Sequence, residues 1–187
     1  LNSLYTNTTG SWNTAIGAAA LLNNTTGYNN SSVGFNSLYT NTYGFNNTAI
    51  GYQTLYNNTT GNYNTAIGGL DSSSNGTLSS NTTGVQNTAV GNAALGKNIG
   101  GSYNTAVGVD ALLNNTNGTY NSALGQIALY NNTTGTYNVG IGAGAVYTNT
   151  IGTWHVGIGT NALYTNSTGD RNTAVGGRAL ENNTYGS

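Results

Sequence analysis

The segment NTAIGYQTLYNNTTGNY, which runs from Asn47 to Tyr63, decides the fold, because its first five letters start again at Asn64. The glycine that ends this phrase recurs with a 17-residue period along most of the chain. A fixed short period is typical of a solenoid, in which each repeat forms one rung and packs only on its neighbours. We therefore predict one repeat array over residues 1–187, with about eleven rungs.

The repeat is interrupted at one place. After Gly68 the period predicts a glycine at position 85, but the next member of this column is Gly91, so six residues are inserted near positions 69–76. A second glycine column, to which Gly61 and Gly84 belong, precedes the first by seven residues on both sides of the insertion. The register is therefore recovered after it. Because the chain opens and stops inside a repeat, we also expect it to be a fragment of a longer fibre protein.

Two apolar pairs recur in each unit and predict its secondary structure. The first is a small residue followed by a branched one, as in Ala49-Ile50, and the second is mostly a small residue followed by leucine, as in Ala111-Leu112. Glycine, asparagine and threonine are weak helix formers, and a unit this short cannot hold a pair of helices. The predicted fold is all-β: a parallel β-solenoid (β-roll) with two short strands per 17-residue rung.

The order of residues within each pair predicts which side chains are buried. Adjacent strand residues point to opposite faces, so we place the large branched residue, such as Val107, inside the rod. The small residue then lies on the second face, where alanine and glycine would let a neighbouring subunit approach closely. The alternative is a turn that simply requires small residues.

The NNTTG segments, such as residues 57–61, have the composition of turns, since asparagine tolerates left-handed backbone and glycine takes positive φ without strain. Identical asparagines stacked in register can also form side-chain ladders between rungs. A charged column would instead place like charges on strands about 4.8 Å apart, which explains why the chain has only three basic and four acidic residues. About eleven rungs at this spacing predict a rod roughly 50 Å long.

Composition also excludes several classes of function. A net charge of -1 leaves no electrostatic footprint for nucleic acid or an anionic membrane. The absence of cysteine excludes a disulfide framework and zinc-thiolate sites, and no apolar run is long enough to span a membrane. Fourteen tyrosines and regularly placed aliphatic residues indicate a folded chain, since disorder is favoured by high net charge and few aromatic residues.

Catalysis requires polar groups that converge with perturbed pKa values, whereas one histidine, four carboxylates and three basic residues are scattered along this chain. We therefore predict no enzyme, no cofactor and no metal site. His155 occupies a column that is otherwise asparagine, so it is best explained as a substitute in a ladder. Asp71 lies in a serine-rich loop, and Asp110 and Asp170 do not recur at a fixed column, as the aspartates of calcium-binding β-rolls do.

Two aromatic columns carry the candidate interaction residues. One column follows the leucine of the second pair, and the other precedes the first asparagine of the NTAIG phrase. Aromatic rings with polar tips suit sugar or protein contacts, and they suit subunit interfaces or rung stacking equally; we favour the latter two. The candidate surface or interface residues are Tyr39, Tyr56, Tyr130, Tyr147, Tyr164, Trp12 and Trp154.

The phrases NTAIG at residues 13–17 and NTAVG at residues 172–176, each followed by an alanine three positions beyond the glycine, resemble the head repeats of trimeric autotransporter adhesins of the YadA type. The NTAIG-x-x-AL-x-x-NTTG array is also similar to repeats of phage-type tail-fibre proteins. The resemblance covers essentially the whole chain. It implies a left-handed parallel β-roll, three chains packed side by side, and an extracellular head or stalk used for attachment.

These observations lead to one functional hypothesis and two alternatives. The hypothesis is an extracellular, cell-surface or fibre segment without catalysis that packs with itself as a homotrimer or filament and attaches to a host surface protein or glycan. The first alternative is a self-assembling filament subunit. The second is an ice-binding solenoid, for which the sequence offers an interrupted threonine column. Its members are Thr14, Thr48, Thr65, Thr88, Thr105 and Thr173, with Ser31, Ser122, Val139 and Val156 between them.

Many asparagines also meet the N-x-S/T pattern of glycosylation, as Asn58-Thr59-Thr60 does. Turn and ladder chemistry explains this pattern more simply, because asparagine and threonine are already required at these positions. An intact mass equal to that of the bare polypeptide would exclude glycans.

Overall fold

A computed structural model describes residues 2–186 as a β-solenoid of about ten turns. Each turn contributes one three-residue strand, and the ten strands form a single parallel sheet in chain order. No helix occurs among the residues described. The predicted all-β parallel solenoid and its repeat length are confirmed. The strands are β1 (Thr14–Ile16), β2 (Ser31–Val33), β3 (Thr48–Ile50), β4 (Thr65–Ile67), β5 (Thr88–Val90), β6 (Thr105–Val107), β7 (Ser122–Leu124), β8 (Val139–Ile141), β9 (Val156–Ile158) and β10 (Thr173–Val175).

The six-residue insertion lies between β4 and β5 and does not disturb the stack. Ala66 of β4 still pairs in register with Ala89 of β5. The inserted segment forms its own small loop, closed by an antiparallel bridge between Leu70 and Gly76. Inside the loop, an oxygen of Asp71 accepts hydrogen bonds from the backbone N–H groups of Ser73 and Asn75 at 2.8 and 2.7 Å. The loop is therefore held by its own contacts.

The predicted second strand of each rung is wrong, because the small-then-leucine pair lies in a turn. Thr54 and Leu55 are consecutive and both fully buried, which an extended strand cannot achieve because its side chains alternate between faces. Leu55 adopts a left-handed conformation with φ of 50°, and the chain turns both side chains inward. The segment still contacts the next rung, since the N–H of Leu55 donates to the carbonyl of Thr77 at 3.1 Å.

The predicted burial of the branched residue is also wrong. Ala49 and Ala66 are fully buried, whereas Ile50 and Ile67 are 40% and 38% exposed. Val107, which we placed inside, is the third residue of β6 and lies on the outer face, while Ala106 beside it is fully buried.

The reason is that the interior beside each strand has room for only one large apolar side chain. Leucine supplies it, and the alanine of the strand packs against that leucine column in one continuous core cluster. Where glycine replaces the alanine, the space is no larger: a methyl carbon added to Gly140 would lie 3.2 Å from Cγ of Leu129. An isoleucine at the alanine position would overlap the core, so it must occupy the outer face.

The rest of the interior is filled by two asparagine ladders, which confirms the predicted side-chain stacking. In ladder A, the backbone N–H and the side-chain amide of Asn64 both donate to Oδ1 of Asn47, at 3.0 and 3.2 Å. In ladder B, the side-chain amide of Asn58 donates to Oδ1 of Asn41 at 2.8 Å and to the carbonyl of Gly61 at 3.0 Å. Ladder A consists of Asn13, Asn30, Asn47, Asn64, Asn87, Asn104, Asn121, Asn138, His155 and Asn172. Ladder B consists of Asn7, Asn24, Asn41, Asn58, Asn81, Asn98, Asn115, Asn132, Asn149, Asn166 and Asn183.

These ladders explain why amides are tolerated at positions with no exposure to water. A buried amide without partners costs about 1–3 kcal/mol, whereas a bonded one contributes about 1 kcal/mol net. Each rung supplies the donors and acceptors that the next rung requires, so the repeat satisfies the polar interior by stacking copies of itself.

Candidate interaction surfaces

The outer face of the sheet carries two straight columns of side chains, because the first and third residues of every strand point outward. We call this surface the Thr–Ile face. Its hydroxyl-rich column consists of Thr14, Ser31, Thr48, Thr65, Thr88, Thr105, Ser122, Val139, Val156 and Thr173. Its aliphatic column consists of Ile16, Val33, Ile50, Ile67, Val90, Val107, Leu124, Ile141, Ile158 and Val175.

The Thr–Ile face is uncharged, and its aliphatic column is apolar along its whole length. Leu124 near the middle is 51% exposed, and Ile16 and Val175 at the two ends are 60% and 68% exposed. Nine steps of about 4.8 Å give a column roughly 43 Å long. Soluble monomers rarely expose contiguous apolar patches of more than a few hundred Å², and larger ones usually mark interaction sites.

The five candidate tyrosines lie in the column that follows the leucine of the second pair. We call it the post-leucine column, and it runs beside the turn. Tyr39 and Tyr56 stack with ring centroids 5.0 Å apart and planes within 6°. Tyr130, Tyr147 and Tyr164 form a second stack with centroid distances of 5.2 and 4.8 Å. All five rings are half-buried. Burial raises the pKa of Tyr147, and the neighbouring phenols of Tyr164 and Tyr130 raise it further.

The second aromatic column, which precedes the first asparagine of the NTAIG phrase, is called the pre-asparagine column. It contains the longest aromatic stack among the described residues. Tyr103, Tyr120, Tyr137 and Trp154 stack with centroid distances of 4.7, 4.9 and 4.3 Å, and successive planes lie within 7° of each other. Trp12 belongs to the same column but is followed on the next rung by an asparagine, and its side chain is 80% exposed.

Sequence reasoning missed two further stacks, Tyr28 with Phe45 and Phe35 with Tyr52. Their centroids are 4.8 and 5.3 Å apart. The signal was available, since the two aromatic residues of each pair are separated by exactly one repeat.

Stacking changes what the aromatic columns can bind. Inside a stack each ring face is covered by the ring of the next rung, so the surface presents ring edges and hydroxyl groups. A sugar that packs on an aromatic ring needs an uncovered face. Trp12 offers such a face, whereas Tyr120 and Tyr137 do not.

His155 lies inside ladder A, which confirms its assignment as a ladder substitute. It is fully buried; its backbone N–H donates to Oδ1 of Asn138 at 3.0 Å, and its Nδ1 accepts from the N–H of Asn172 at 3.3 Å. The substitution is imperfect, because Nε2 of His155 has no hydrogen-bond partner, nor have Oδ1 of Asn149 and Nδ2 of Asn166 in the adjacent ladder B. Burial lowers the pKa of His155 from its ordinary value of 6.5.

The carboxylates do not converge on a common site. Burial raises the pKa of Asp71, but hydrogen bonds from Asn75 and Ser73 outweigh it and lower the pKa overall. Burial and the nearby charge of Asp71 raise the pKa of Asp110, and hydrogen bonds from Thr153 lower that of Asp170. Within residues 2–186 there is no pocket and no group of three or more histidine or acidic side chains that could hold a metal ion. The described part of the chain also contains no helix that could span a bilayer.

Comparison with protein-family models, with curated proteins and with solved structures gives no match. The resemblance to adhesin-head and tail-fibre repeats therefore stays a prediction.

Proposed function

We propose that this chain is a structural segment of an extracellular fibre in which copies of the chain pack side by side through the Thr–Ile face. The observation that carries the proposal is that face itself, an uncharged strip with a branched aliphatic residue directed outward on every strand. Burying such a strip is favourable by about 25 cal/mol per Å² of apolar surface removed from water.

A second copy is the partner that suits this face best. Two copies with parallel axes present columns of the same length and the same rung spacing, so the aliphatic side chains can interdigitate along the whole contact. No like charges would oppose each other, because the face has none. Within residues 2–186 each chain has one sheet and one such face, and this favours a closed assembly about an axis over an open sheet. Three chains, as the adhesin resemblance implies, would direct all three faces to the axis and leave the aromatic columns outside.

Attachment to other molecules is the second part of the proposal. With the Thr–Ile face inside an assembly, the remaining outer surface is amide-rich and aromatic and carries few charged side chains. Trp12, with its uncovered ring, is the candidate contact for a host glycan or protein.

The test is the native mass of the protein at micromolar concentration. We expect a closed oligomer, with three chains as the leading stoichiometry. Replacing Val107 by aspartate puts a charge on the outer face, so we expect dissociation to folded monomers with an unchanged strand signal in circular dichroism. The matched control is Ile151→Asp, an aliphatic residue that is 55% exposed in a turn outside the face, and it should leave the assembly intact. A native protein that is monomeric under these conditions would overturn the proposal.

Ice binding is a second candidate, favoured by one observation. The threonine column lies in register on the outer face of a parallel sheet, as Thr48 and Thr65 do, so its hydroxyls form a regular array. Thermal hysteresis at millimolar concentration is the assay. If activity is present, Thr65→Tyr should reduce it, because a bulky side chain in the array would prevent contact with a flat crystal surface.

A further inference from the structure

The tyrosines of the pre-asparagine column are held in an arrangement that suits covalent coupling. Rings of Tyr103 and Tyr120 have centroids 4.7 Å apart and planes within 2°, and those of Tyr120 and Tyr137 are 4.9 Å apart and within 1°. We propose that this stack is a site of oxidative cross-linking, at which a one-electron oxidant joins rings of successive rungs of one chain through a dityrosine bond. The proposal does not depend on the proposed function.

The backbone enforces this geometry. Tyr103, Tyr120 and Tyr137 all adopt left-handed conformations, with φ of 60°, 58° and 58°. The N–H of Tyr120 donates to the carbonyl of Ser102, and that of Tyr137 donates to the carbonyl of Thr119, both at 3.1 Å. The three tyrosines share one backbone conformation and one pattern of hydrogen bonds to the preceding rung. Their rings therefore lie parallel.

Coupling of two tyrosines is a two-electron oxidation. Each tyrosine gives one electron to the oxidant and releases its phenolic proton, which leaves a phenoxyl radical. The two radicals form one carbon–carbon bond between ring carbons ortho to oxygen. The hydrogens on those two carbons then move to the oxygens through solvent, which restores two phenols. The net change is the loss of two electrons and two protons, with a one-electron oxidant such as a peroxidase intermediate or an oxidised metal complex as acceptor.

Face-to-face stacking favours the bond-forming step. The unpaired electron of a phenoxyl radical occupies the π system, whose lobes extend perpendicular to the ring. In a parallel stack these lobes on neighbouring ortho carbons point toward each other, so no diffusion is required for the radicals to meet. The rings are also accessible to an oxidant, since Tyr103, Tyr120 and Tyr137 are 44%, 46% and 41% exposed.

The products would reinforce the rod. A bond between Tyr103 and Tyr120 links two rungs that are otherwise joined by hydrogen bonds, apolar packing and the stretch of chain between them. A covalent link that closes a loop restricts the unfolded chain, as a disulfide does. This chain has no cysteine, so a disulfide cannot form within it.

The positions of the three aspartates allow the bond to be located by proteolytic digestion. A protease that cleaves before aspartate cuts at Asp71, Asp110 and Asp170, and the peptide of residues 71–109 contains a single tyrosine, Tyr103. The purified protein is oxidised with photogenerated tris-bipyridyl ruthenium(III), with persulfate as the terminal electron acceptor. Product that runs as a single chain on a denaturing gel is then digested. We expect a peptide in which residues 71–109 are joined to residues 110–169, lighter by two hydrogens than the sum of the two parts.

Two variants and one denatured control decide the result. Tyr120→Phe keeps the ring but removes the phenol, and we expect the joined peptide to fall to background. Tyr130→Phe removes a phenol from the other aromatic column and should leave the yield unchanged. The proposal is overturned if the joined peptide persists in Tyr120→Phe, if the urea-unfolded chain gives an equal yield, or if coupling occurs only between chains. It is also overturned if no joined peptide forms under conditions that couple free tyrosine.

Discussion

The decisive feature at the residue scale is the left-handed apolar residue of the turn, which is leucine in every rung except that of Val146. Leu38, Leu55 and Leu95 have φ of 50°, 50° and 53° and are fully buried. A left-handed conformation costs a residue other than glycine about 1–2 kcal/mol. The burial of a leucine side chain is worth about 1.5–3 kcal/mol, so packing outweighs the strain. The repeat therefore accepts an unfavourable backbone at this position to place two consecutive side chains in the core.

His155 is the residue at which a single change should improve the protein. Asparagine at this position would restore ladder A, so we expect His155→Asn to raise the free energy of unfolding by about 1–3 kcal/mol at neutral pH. The physical reason is the set of three buried polar atoms without partners around the histidine. Urea unfolding of the two proteins at equal concentration measures the difference.

The same residue should make the native protein sensitive to acid. Burial lowers the pKa of His155 in the folded state below its ordinary value of 6.5, so the unfolded chain binds the proton more readily. Stability should be unaffected by this group above pH 6.5 and should fall as the pH drops below it, down to the folded-state pKa. His155→Asn should lose this part of the pH dependence. Parallel curves for the two proteins would contradict the role assigned to the histidine.

At the scale of the element, the rung is a narrow tube in which the strand faces one large apolar side chain beside the two asparagine ladders. The strand contributes its alanine to the interior, and the turn contributes a leucine together with the small residue before it. The strand is short because the glycine that follows it, such as Gly108 with φ of 134°, ends the extended segment. Its outward side chains are free to vary in size, as the exchange of isoleucine, valine and leucine in the aliphatic column shows.

Enlarging the inner residue of a strand should be costly, whereas enlarging an outer one should not. We expect Ala106→Val to lower the free energy of unfolding by about 1–3 kcal/mol through overpacking, because Ala106 is fully buried in the core cluster. Thr105→Val, the exposed neighbour on β6, is the matched control and should change it by less than about 0.5 kcal/mol. Equal effects of the two substitutions would mean that the faces of the strand are assigned incorrectly.

At the scale of the whole molecule, the rod is held by contacts between adjacent rungs and carries very little charge. Stability in such an array is approximately a sum of rung and neighbour terms, so a defect such as His155 weakens the rungs around it. Within residues 2–186 one ion pair is present, between the exposed Arg178 and the half-buried Glu181 at 3.7 Å. Charge therefore contributes little to the fold.

The association of copies should also depend little on charge. Because the Thr–Ile face has no charged side chain, we expect the oligomer to keep its stoichiometry when the salt concentration is raised from low to high. Native mass or light scattering across a salt series measures this. An assembly that dissociates in salt would indicate that charged residues such as Lys97 or Asp170 hold it together instead of the aliphatic column.

The solenoid, its period, the parallel register and the asparagine ladders could all be predicted from the sequence. Each depends on contacts between equivalent residues of adjacent rungs, and a repeat places those residues together whatever the shape of the rung. The stacking of Tyr130 on Tyr147 belongs to this group, since the two rings are one repeat apart.

The shape of the rung and the direction of its side chains were decided only by the tertiary structure. A pair such as Ala49-Ile50 is equally compatible with either residue inside, because alternation fixes opposite faces but does not say which face is the core. The choice depends on how much space the leucine of the turn leaves, and that space exists only once the chain has closed around it. The exposed Thr–Ile face, which carries the proposed function, follows from that same limit on interior volume.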